Sequence, residues 1–190
     1  CAFIFDPDQP EMVDRIADDL IESIAAPVVE NGNHLVVTTS IGISRFDFES
    51  EGVDVLMRRA DIAMYSAKKQ GRNRFCWFDT AMELELQTRN SLESGMRAGI
   101  PKGEFVPYYE QQIDLATGKL TGFEMLARWE SPTQGLVSPE VFIPIAEETG
   151  MIGELSLSVL RQAFDDAKNW DPSLTISVNI SPIQLLDPWL

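Results

Sequence analysis

The stretch Leu120–Glu130, LTGFEMLARWE, carries a carboxylate and a guanidinium on one face of a predicted strand. Successive side chains of a strand point to opposite faces, so Glu124 and Arg128 share a face about 13 Å apart. The mostly apolar face opposite carries Thr121, Phe123, Met125, Ala127 and Trp129. Charged groups behind such a core face either meet water on an antiparallel sheet or line the inside of a closed parallel barrel.

A second polar face occurs in the predicted strand TISVNIS, where Thr175, Ser177 and Asn179 alternate onto the same side. Mg²⁺ and Mn²⁺ prefer oxygen ligands, and carboxylates and amides supply them. Glu124 and Asn179 are therefore candidate ligands of a divalent metal ion. Judged from the residues alone, a purely structural polar pair stays an open alternative.

The composition excludes several classes of protein. The chain has 190 residues, 44% of them hydrophobic and 24% charged, with a formal net charge of −15. That charge argues against binding a nucleic-acid polymer through a basic surface, while a small anionic ligand remains compatible if metal ions neutralise it. The two cysteines, Cys1 and Cys76, form neither a disulfide framework nor a zinc motif, which fits a cytoplasmic protein. No membrane segment is predicted.

The first half of the chain predicts a mixed α+β domain. A buried-type strand, CAFIFD, precedes a helix whose start has capping-box spacing at Asp8 and Glu11. Asn31-Gly32 predicts a hairpin, whose second strand is expected to alternate from Leu35 to Ile43. A helix over 53–70 and a strand, RFCWF, follow.

The second half predicts βα units and a parallel sheet. A weakly apolar helix over 80–98 links the two halves, and two strands joined by the turn ATGK come next. Ser138 and Pro139 begin a helix that ends at Gly150, and a longer helix over 152–170 leads to TISVNIS. The predicted domain limits are 1–79, 80–99 for the linker helix, and 100–190. Both ends resemble cuts, so the chain is expected to be a piece of a longer protein.

These segments resemble two known families. SIGIS followed by ADIAMYSAKKQGRNRF resembles the C-terminal half of a GGDEF domain, a diguanylate cyclase fold. YYEQQIDLATGKLTGFEMLARW, GLVSPEVFIPIAEETGMI and SVNIS resemble the start of an EAL domain, the cyclic di-GMP phosphodiesterase. The resemblance implies an α/β fold: a partial GGDEF domain of nucleotidyl-cyclase-like α+β type, then the first strands and helices of a TIM-like EAL barrel.

The resemblance to EAL domains implies hydrolysis of cyclic di-GMP to linear pGpG with two divalent ions, Mg²⁺ or Mn²⁺. Glu124, the first residue of the EAL triplet (here Glu124-Met125-Leu126), would be catalytic and a metal ligand. Asn179 matches the family's metal-binding asparagine. The other implied roles concern substrate binding. Arg128 would contact a phosphate, and Leu126 and Pro139 would line the surface that binds guanine. Glu110 would also contact the ligand, although it stands where the family usually has glutamine.

Within the GGDEF-like half, Lys68 and Arg72 match positions that meet nucleotide phosphates. The family's signature motif would precede Cys1, so both are interpreted as remnants of that phosphate site. Two alternatives stay open for the parent protein: a degenerate EAL module that binds cyclic di-GMP without cutting it, and a protein that acts chiefly as a cyclase. The resemblance also allows a homodimer through the EAL domain.

Overall fold

The computed structural model describes residues 10–45 and 52–186, in which the chain divides into two compact units, Cys1–Thr88 and Arg89–Leu190. The helices are α1 (Pro10–Ala25), α2 (Val53–Lys69), α3 (Thr80–Gly99), α4 (Pro139–Glu148) and α5 (Ile152–Ala167). The strands are β1 (Val28–Glu30), β2 (Asn33–Leu35), β3 (Ser40–Ile43), β4 (Arg74–Trp77), β5 (Phe105–Ile113), β6 (Leu120–Ser131), β7 (Gly135–Val137) and β8 (Thr175–Val178). Among the helices of these residues, none has the length and apolar character needed to cross a membrane.

The first unit is built around a βαβ arrangement in which β3 and β4 pair in parallel and α2 lies between them in sequence. The helix packs closely because Gly42 of β3 has no side chain; a Cβ there would lie 1.9 Å from the Ala60 carbonyl oxygen of α2. The Trp77 indole donates to Asp14 at 2.7 Å and ties α1 to β4. The predicted helix over 53–70 and the strand RFCWF are confirmed within one residue of their bounds.

One expectation for this unit is wrong. The continuous strand predicted from Leu35 to Ile43 is two strands: β2 ends at Leu35, and β3 begins at Ser40. The hairpin itself is present, since β1 pairs antiparallel with β2 around Asn31-Gly32. Alternation of side chains indicates a strand but does not identify its partner. Here β2 pairs with β1 and β3 pairs with β4, and residues 36–39 connect the two strands. The predicted strand CAFIFD and the capping residue Asp8 lie outside the described residues.

The second unit contains a four-stranded mixed sheet. β5 and β6 pair antiparallel along nearly their whole length, and the other edge of β6 pairs antiparallel with β7 and parallel with β8. The parallel pairing that the helix–strand order predicts after the hairpin is confirmed between β6 and β8. The sheet is mixed because the hairpin strands and β7 add antiparallel pairs. A short connection explains the antiparallel pair, because a tight turn can join antiparallel strands whereas parallel strands need a long crossover.

That turn is stabilised by Asp114, whose carboxylate accepts hydrogen bonds from the Thr117 amide and hydroxyl, both at 2.7 Å. These two bonds favour the ionised carboxylate and lower the pKa of Asp114. Gly118 adopts a positive φ of 69° at the end of the turn, a conformation that glycine tolerates best. The register of β5 against β6 follows from this closure.

The core of the second unit lies on one face of β6. Met125 and Trp129 are buried there, and the Trp129 ring stacks on Phe105 with centroids 5.2 Å apart, while Phe105 meets Phe142 of α4 edge to face. The predicted core face of LTGFEMLARWE is thus confirmed. Further residues of this core come from α3, α4 and α5: Leu92, Met96, Ile145, Ala146, Leu155, Val159 and Ala163.

Two side chains fix α5 against β5. The Tyr109 hydroxyl donates to the Asp166 carboxylate at 2.7 Å, and the Gln162 amide donates to the Phe105 carbonyl at 2.7 Å. Burial, together with the Asp166 carboxylate, raises the pKa of Tyr109. The helix ends at Ala167, three residues before the predicted end at Trp170. α4 begins at Pro139 with Ser138 as its N-cap, as predicted.

Candidate active site on the outer face of β6

Glu124 and Asn179 meet on the face of the sheet opposite the core, which we call the outer face of β6. The Asn179 side-chain amide donates to a Glu124 carboxylate oxygen at 2.8 Å, although the two residues are 55 positions apart in the sequence. Asn179 directly follows the carboxyl end of β8, and the parallel register of β8 on β6 places Ser177 beside Glu124. The hydrogen bond engages one oxygen of the carboxylate and the amide nitrogen, which leaves one oxygen on each side chain as a ligand atom.

Gln112 joins this face from β5, a residue to which sequence reasoning assigned no role. Its side-chain oxygen accepts a hydrogen bond from the Ser177 hydroxyl at 3.1 Å, so its side chain reaches from β5 across β6 to β8. The reach passes over Gly122, the residue opposite Gln112 in the register. A Cβ at Gly122 would lie 2.3 Å from the Thr175 carbonyl oxygen, so glycine also permits the close approach of β8. The sequence signal that could have identified Gln112 is the alternation of side chains along β5, which places Tyr108, Glu110 and Gln112 on one face.

Glu110 lies directly opposite Glu124 in the antiparallel register of β5 and β6. Opposed residues of such strands have Cβ atoms about 5 Å apart, and like charges in that arrangement are destabilising. Glu110 is exposed and Glu124 is half-buried. Two carboxylates facing each other next to an amide oxygen create a local negative potential that a bound cation would relieve.

Arg128 lies on the same face of β6, four residues after Glu124. Its guanidinium lies over the Tyr108 ring, 5.6 Å from the centroid, and donates to the Ala127 carbonyl at 2.9 Å. No ion pair joins Arg128 to Glu124 within residues 10–45 and 52–186. Tyr108 in turn donates to Glu130 at 3.1 Å, and this carboxylate raises the pKa of the phenol.

The structure gives the other predicted site residues different surroundings. Leu126 is half-buried between Glu124 and Arg128 on the outer face. Pro139 is half-buried at the first position of α4, and its proposed guanine contact stays a prediction. In the first unit, Lys68 is exposed in the last turn of α2, and Arg72 is exposed in the turn that follows, with a φ of 59°.

The donor atoms at Glu124 and Asn179 fit Mg²⁺ or Mn²⁺ in kind, because both ions prefer oxygen ligands. In number they form only part of a site. Within the described ranges, 10–45 and 52–186, no group of three or more His, Cys, Asp and Glu side chains is arranged to hold a metal ion. A complete metal centre therefore needs ligands beyond those that this face supplies.

Comparison with known families agrees with the predicted order of segments along the chain. The model of the EAL domain matches residues 93–190, slightly more than half of the chain, and the model of the diguanylate cyclase GGDEF domain matches residues 4–74. The chain therefore belongs to the EAL domain family, with a GGDEF segment preceding the EAL segment in the tandem order that the sequence predicted.

Several curated proteins share this arrangement. An uncharacterized signaling protein of Caulobacter vibrioides is 40% identical over 96% of this chain and 23% of its own length. The biofilm architecture maintenance protein MbaA of Vibrio cholerae is 34% identical over 93% of this chain and 23% of its own length. The bifunctional diguanylate cyclase/cyclic di-GMP phosphodiesterase MucR of Pseudomonas aeruginosa is 32% identical over 93% of this chain and 26% of its own length. The chain thus spans about a quarter of these relatives.

Among solved structures, the PaMucR phosphodiesterase in complex with c-di-GMP is 30% identical to this chain. The superposition covers 52% of this chain and 41% of that one, with a TM-score of 0.47.

Proposed function

We propose that the parent protein hydrolyses cyclic di-GMP to linear pGpG through its EAL domain, and that Glu124 and Asn179 hold divalent ions there. The observation that carries the proposal is the 2.8 Å contact between these two side chains at the carboxyl end of a parallel strand pair. Barrel enzymes of the TIM type place their catalytic groups at strand carboxyl ends. Membership in the EAL domain family makes cyclic di-GMP the expected ligand.

Each residue of the face has a defined task in this proposal. Glu124 and Asn179 provide oxygen ligands, and the metal ions, when bound, would activate a water and offset phosphate charge. Arg128 binds a phosphate through its planar guanidinium, which Tyr108 holds from one side. Leu126 and Pro139 form an apolar surface for a guanine base. The oxygen of water would form a new bond to phosphorus as one P–O bond of the ring breaks. The leaving oxygen would take up a proton, and the linear dinucleotide would dissociate.

Replacing Glu124 tests the proposal. In the parent protein, we expect Glu124→Ala to reduce hydrolysis of cyclic di-GMP in Mg²⁺ or Mn²⁺ by several orders of magnitude, because each 1.36 kcal/mol of lost transition-state stabilisation is about tenfold in rate. The melting curve should stay near that of the wild type. Glu85→Ala, an exposed glutamate of α3, is the matched control. Wild-type turnover by Glu124→Ala would show that the carboxylate is structural.

A degenerate module that binds cyclic di-GMP without cutting it is the second candidate, and the departure of Glu110 from the glutamine that the family usually has there is the observation in its favour. A carboxylate at this position cannot donate to a ligand as the amide of glutamine does, and it faces a second carboxylate. The same assay separates the candidates: a parent protein that binds cyclic di-GMP with micromolar or better affinity but releases no pGpG is a sensor. The Lys68 and Arg72 positions concern only the GGDEF segment, and their role as remnants of a phosphate site stays a prediction.

A further inference from the structure

A hydrogen-bonded network begins two residues after Asn179 in the sequence, and the proposed function gives its members no role. The Ser181 hydroxyl, two residues after Asn179, donates to the Glu147 carboxylate of α4 at 2.6 Å. The Ser181 amide donates to the Gln184 side-chain oxygen at 3.2 Å. The same oxygen accepts the Ser156 hydroxyl of α5 at 3.1 Å. The segment that follows β8 is therefore fastened to two helices at once.

The network is partly buried in the second unit. Gln184 is 7% exposed, and Glu147, Ser156 and Ser181 are half-buried. A hydrogen bond from a hydroxyl to a carboxylate is about twice as strong as one between neutral groups, and breaking it would leave a partly buried charge without this donor. The network thus fixes the backbone at Ser181 more firmly than a solvent-exposed turn would.

The helices at the other end of the network are themselves rigidly held. α4 buries Phe142, Ile145 and Ala146 in the core, and α5 buries Leu155 and Val159. Glu148, next to Glu147, is exposed and pairs with Arg89 of α3, so it takes no part in the Ser181 network. The position of Ser181 is consequently set by the packed core and not by the loop alone.

Asn179 lies beyond the last paired residue of β8, so the strand ladder does not fix it. β8 pairs with β6 only through Thr175–Val178. On one side of Asn179 is the end of this ladder, and on the other, two residues away, is the Ser181 network. Its amide must still lie 2.8 Å from Glu124. Holding the backbone at both sides restricts Asn179 to a narrow range of positions.

We propose that Glu147, Ser181 and Gln184 are positioning residues that hold Asn179 against Glu124 and so set the affinity of the site for its divalent ion. This inference rests on the proposed function. The groups that orient metal ligands typically contribute about 10- to 100-fold in metal affinity. The network acts through the ligand and touches neither metal nor substrate.

Mn²⁺ titration of the parent protein, followed by electron paramagnetic resonance, tests this role. We expect Glu147→Ala and Ser181→Ala each to weaken Mn²⁺ binding about 10- to 100-fold. Glu147→Gln keeps an acceptor oxygen for Ser181 and should recover most of the affinity. Glu148→Ala removes the adjacent carboxylate without touching the network and should leave the affinity within about twofold. Hydrolysis at saturating Mn²⁺ should return towards the wild-type rate in Glu147→Ala.

Melting curves and one further variant separate the outcomes. Lower melting temperatures with unchanged Mn²⁺ affinity in both Glu147→Ala and Ser181→Ala would overturn the positioning role and leave a structural one. Glu124→Ala in the same titration reports on the proposed function: if it lowers Mn²⁺ affinity and the network variants do not, only the positioning inference fails. If the wild type binds no Mn²⁺, the proposed function fails and the inference with it.

Discussion

At the scale of single residues, the outer face of β6 combines groups that attract and groups that repel a phosphodiester. Arg128 offers a guanidinium supported by Tyr108, while Glu110 and Glu124 bring two carboxylates into register. An anionic ligand binds next to two carboxylates more readily when a cation offsets their charge. The balance at this face therefore depends on whether Glu110 serves the metal or opposes the ligand.

Replacing Glu110 by glutamine is expected to tighten the binding of cyclic di-GMP to the parent protein. The amide can donate a hydrogen bond to the ligand, and the substitution removes a negative charge that repels the ligand's phosphates. Two unit charges 4 Å apart repel by about 1 kcal/mol in bulk water and by about 4 kcal/mol near a protein surface. A gain of 1.4 kcal/mol corresponds to about tenfold in Kd. Calorimetry with Ca²⁺ in place of Mg²⁺, which suppresses turnover, measures the change.

A calorimetric titration of Ca²⁺ into each variant, beside that of cyclic di-GMP, shows what Glu110 does if this expectation fails. Weaker metal binding by Glu110→Gln would indicate that the carboxylate serves a cation. Equal affinity for both cyclic di-GMP and the ion would mean that Glu110 points away from the ligand. Glu85→Gln, an exposed glutamate on α3, controls for the general loss of one negative charge.

At the scale of elements, the site exists because β8 lies close enough to β6. The contact between Asn179 and Glu124 needs β8 in parallel register, and that register places Thr175 against Gly122. The absence of a side chain at Gly122 thus serves both the approach of β8 and the reach of Gln112. A single methyl group at this position would disturb both.

Gly122→Ala is expected to destabilise the chain by about 1 to 3 kcal/mol, the usual cost of forcing an extra methyl group into a packed region. The new Cβ would lie 2.3 Å from the Thr175 carbonyl oxygen and 2.4 Å from its hydroxyl. Thermal melts followed by circular dichroism measure the change. Gly153→Ala is the matched control, because a Cβ at this helical glycine meets nothing within 4 Å, and it should be neutral or stabilise by up to about 1 kcal/mol.

An unchanged melting temperature for Gly122→Ala would show that β8 can move away from β6 at little cost. In that case the hydrogen bond between Asn179 and Glu124 would not depend on a close strand pair. If Gly122→Ala and Gly153→Ala lowered the melting temperature equally, the cost would reflect a general sensitivity to alanine and not the contact with Thr175.

At the scale of the whole molecule, the chain has two units of different kind and a net charge of −15. Family models cover residues 4–74 and 93–190, and α3 spans Thr80–Gly99 between the two folds along the sequence. The limits 1–79, 80–99 and 100–190 stay our proposal for the domains. Cytoplasmic location and dimerisation through the EAL domain also remain predictions.

The isolated 190-residue chain is expected to release no pGpG from cyclic di-GMP with Mg²⁺ or Mn²⁺. Of the metal ligands that the resemblance to EAL domains implies, only Glu124 and Asn179 come together among the described residues. In the same residues, β5 and β8 each pair only with β6, which leaves their other edges open. Chromatography of the reaction over several hours measures the product. Steady metal-dependent release would falsify the view that further ligands are needed.

The sequence by itself determined much of the local structure. Alternation in LTGFEMLARWE identified Met125 and Trp129 as core residues and placed Glu124 and Arg128 on the opposite face, since side-chain period is a property of the strand alone. Ser138 and Pro139 predicted the start of α4 for an equally local reason. Family motifs predicted the GGDEF and EAL order, which comparison with the family models confirmed.

Only the tertiary structure decided which strands pair beyond the hairpins that the turn residues predicted. The predicted strand from Leu35 to Ile43 divides because its halves pair with different neighbours, and the second sheet is mixed because β6 takes antiparallel and parallel partners on one edge. The contacts of Gln112 with Ser177 and of Glu147 with Ser181 were equally beyond local reasoning. Such contacts join positions 65 and 34 residues apart, and they depend on register, in which a slip of one residue turns every side chain to the other face.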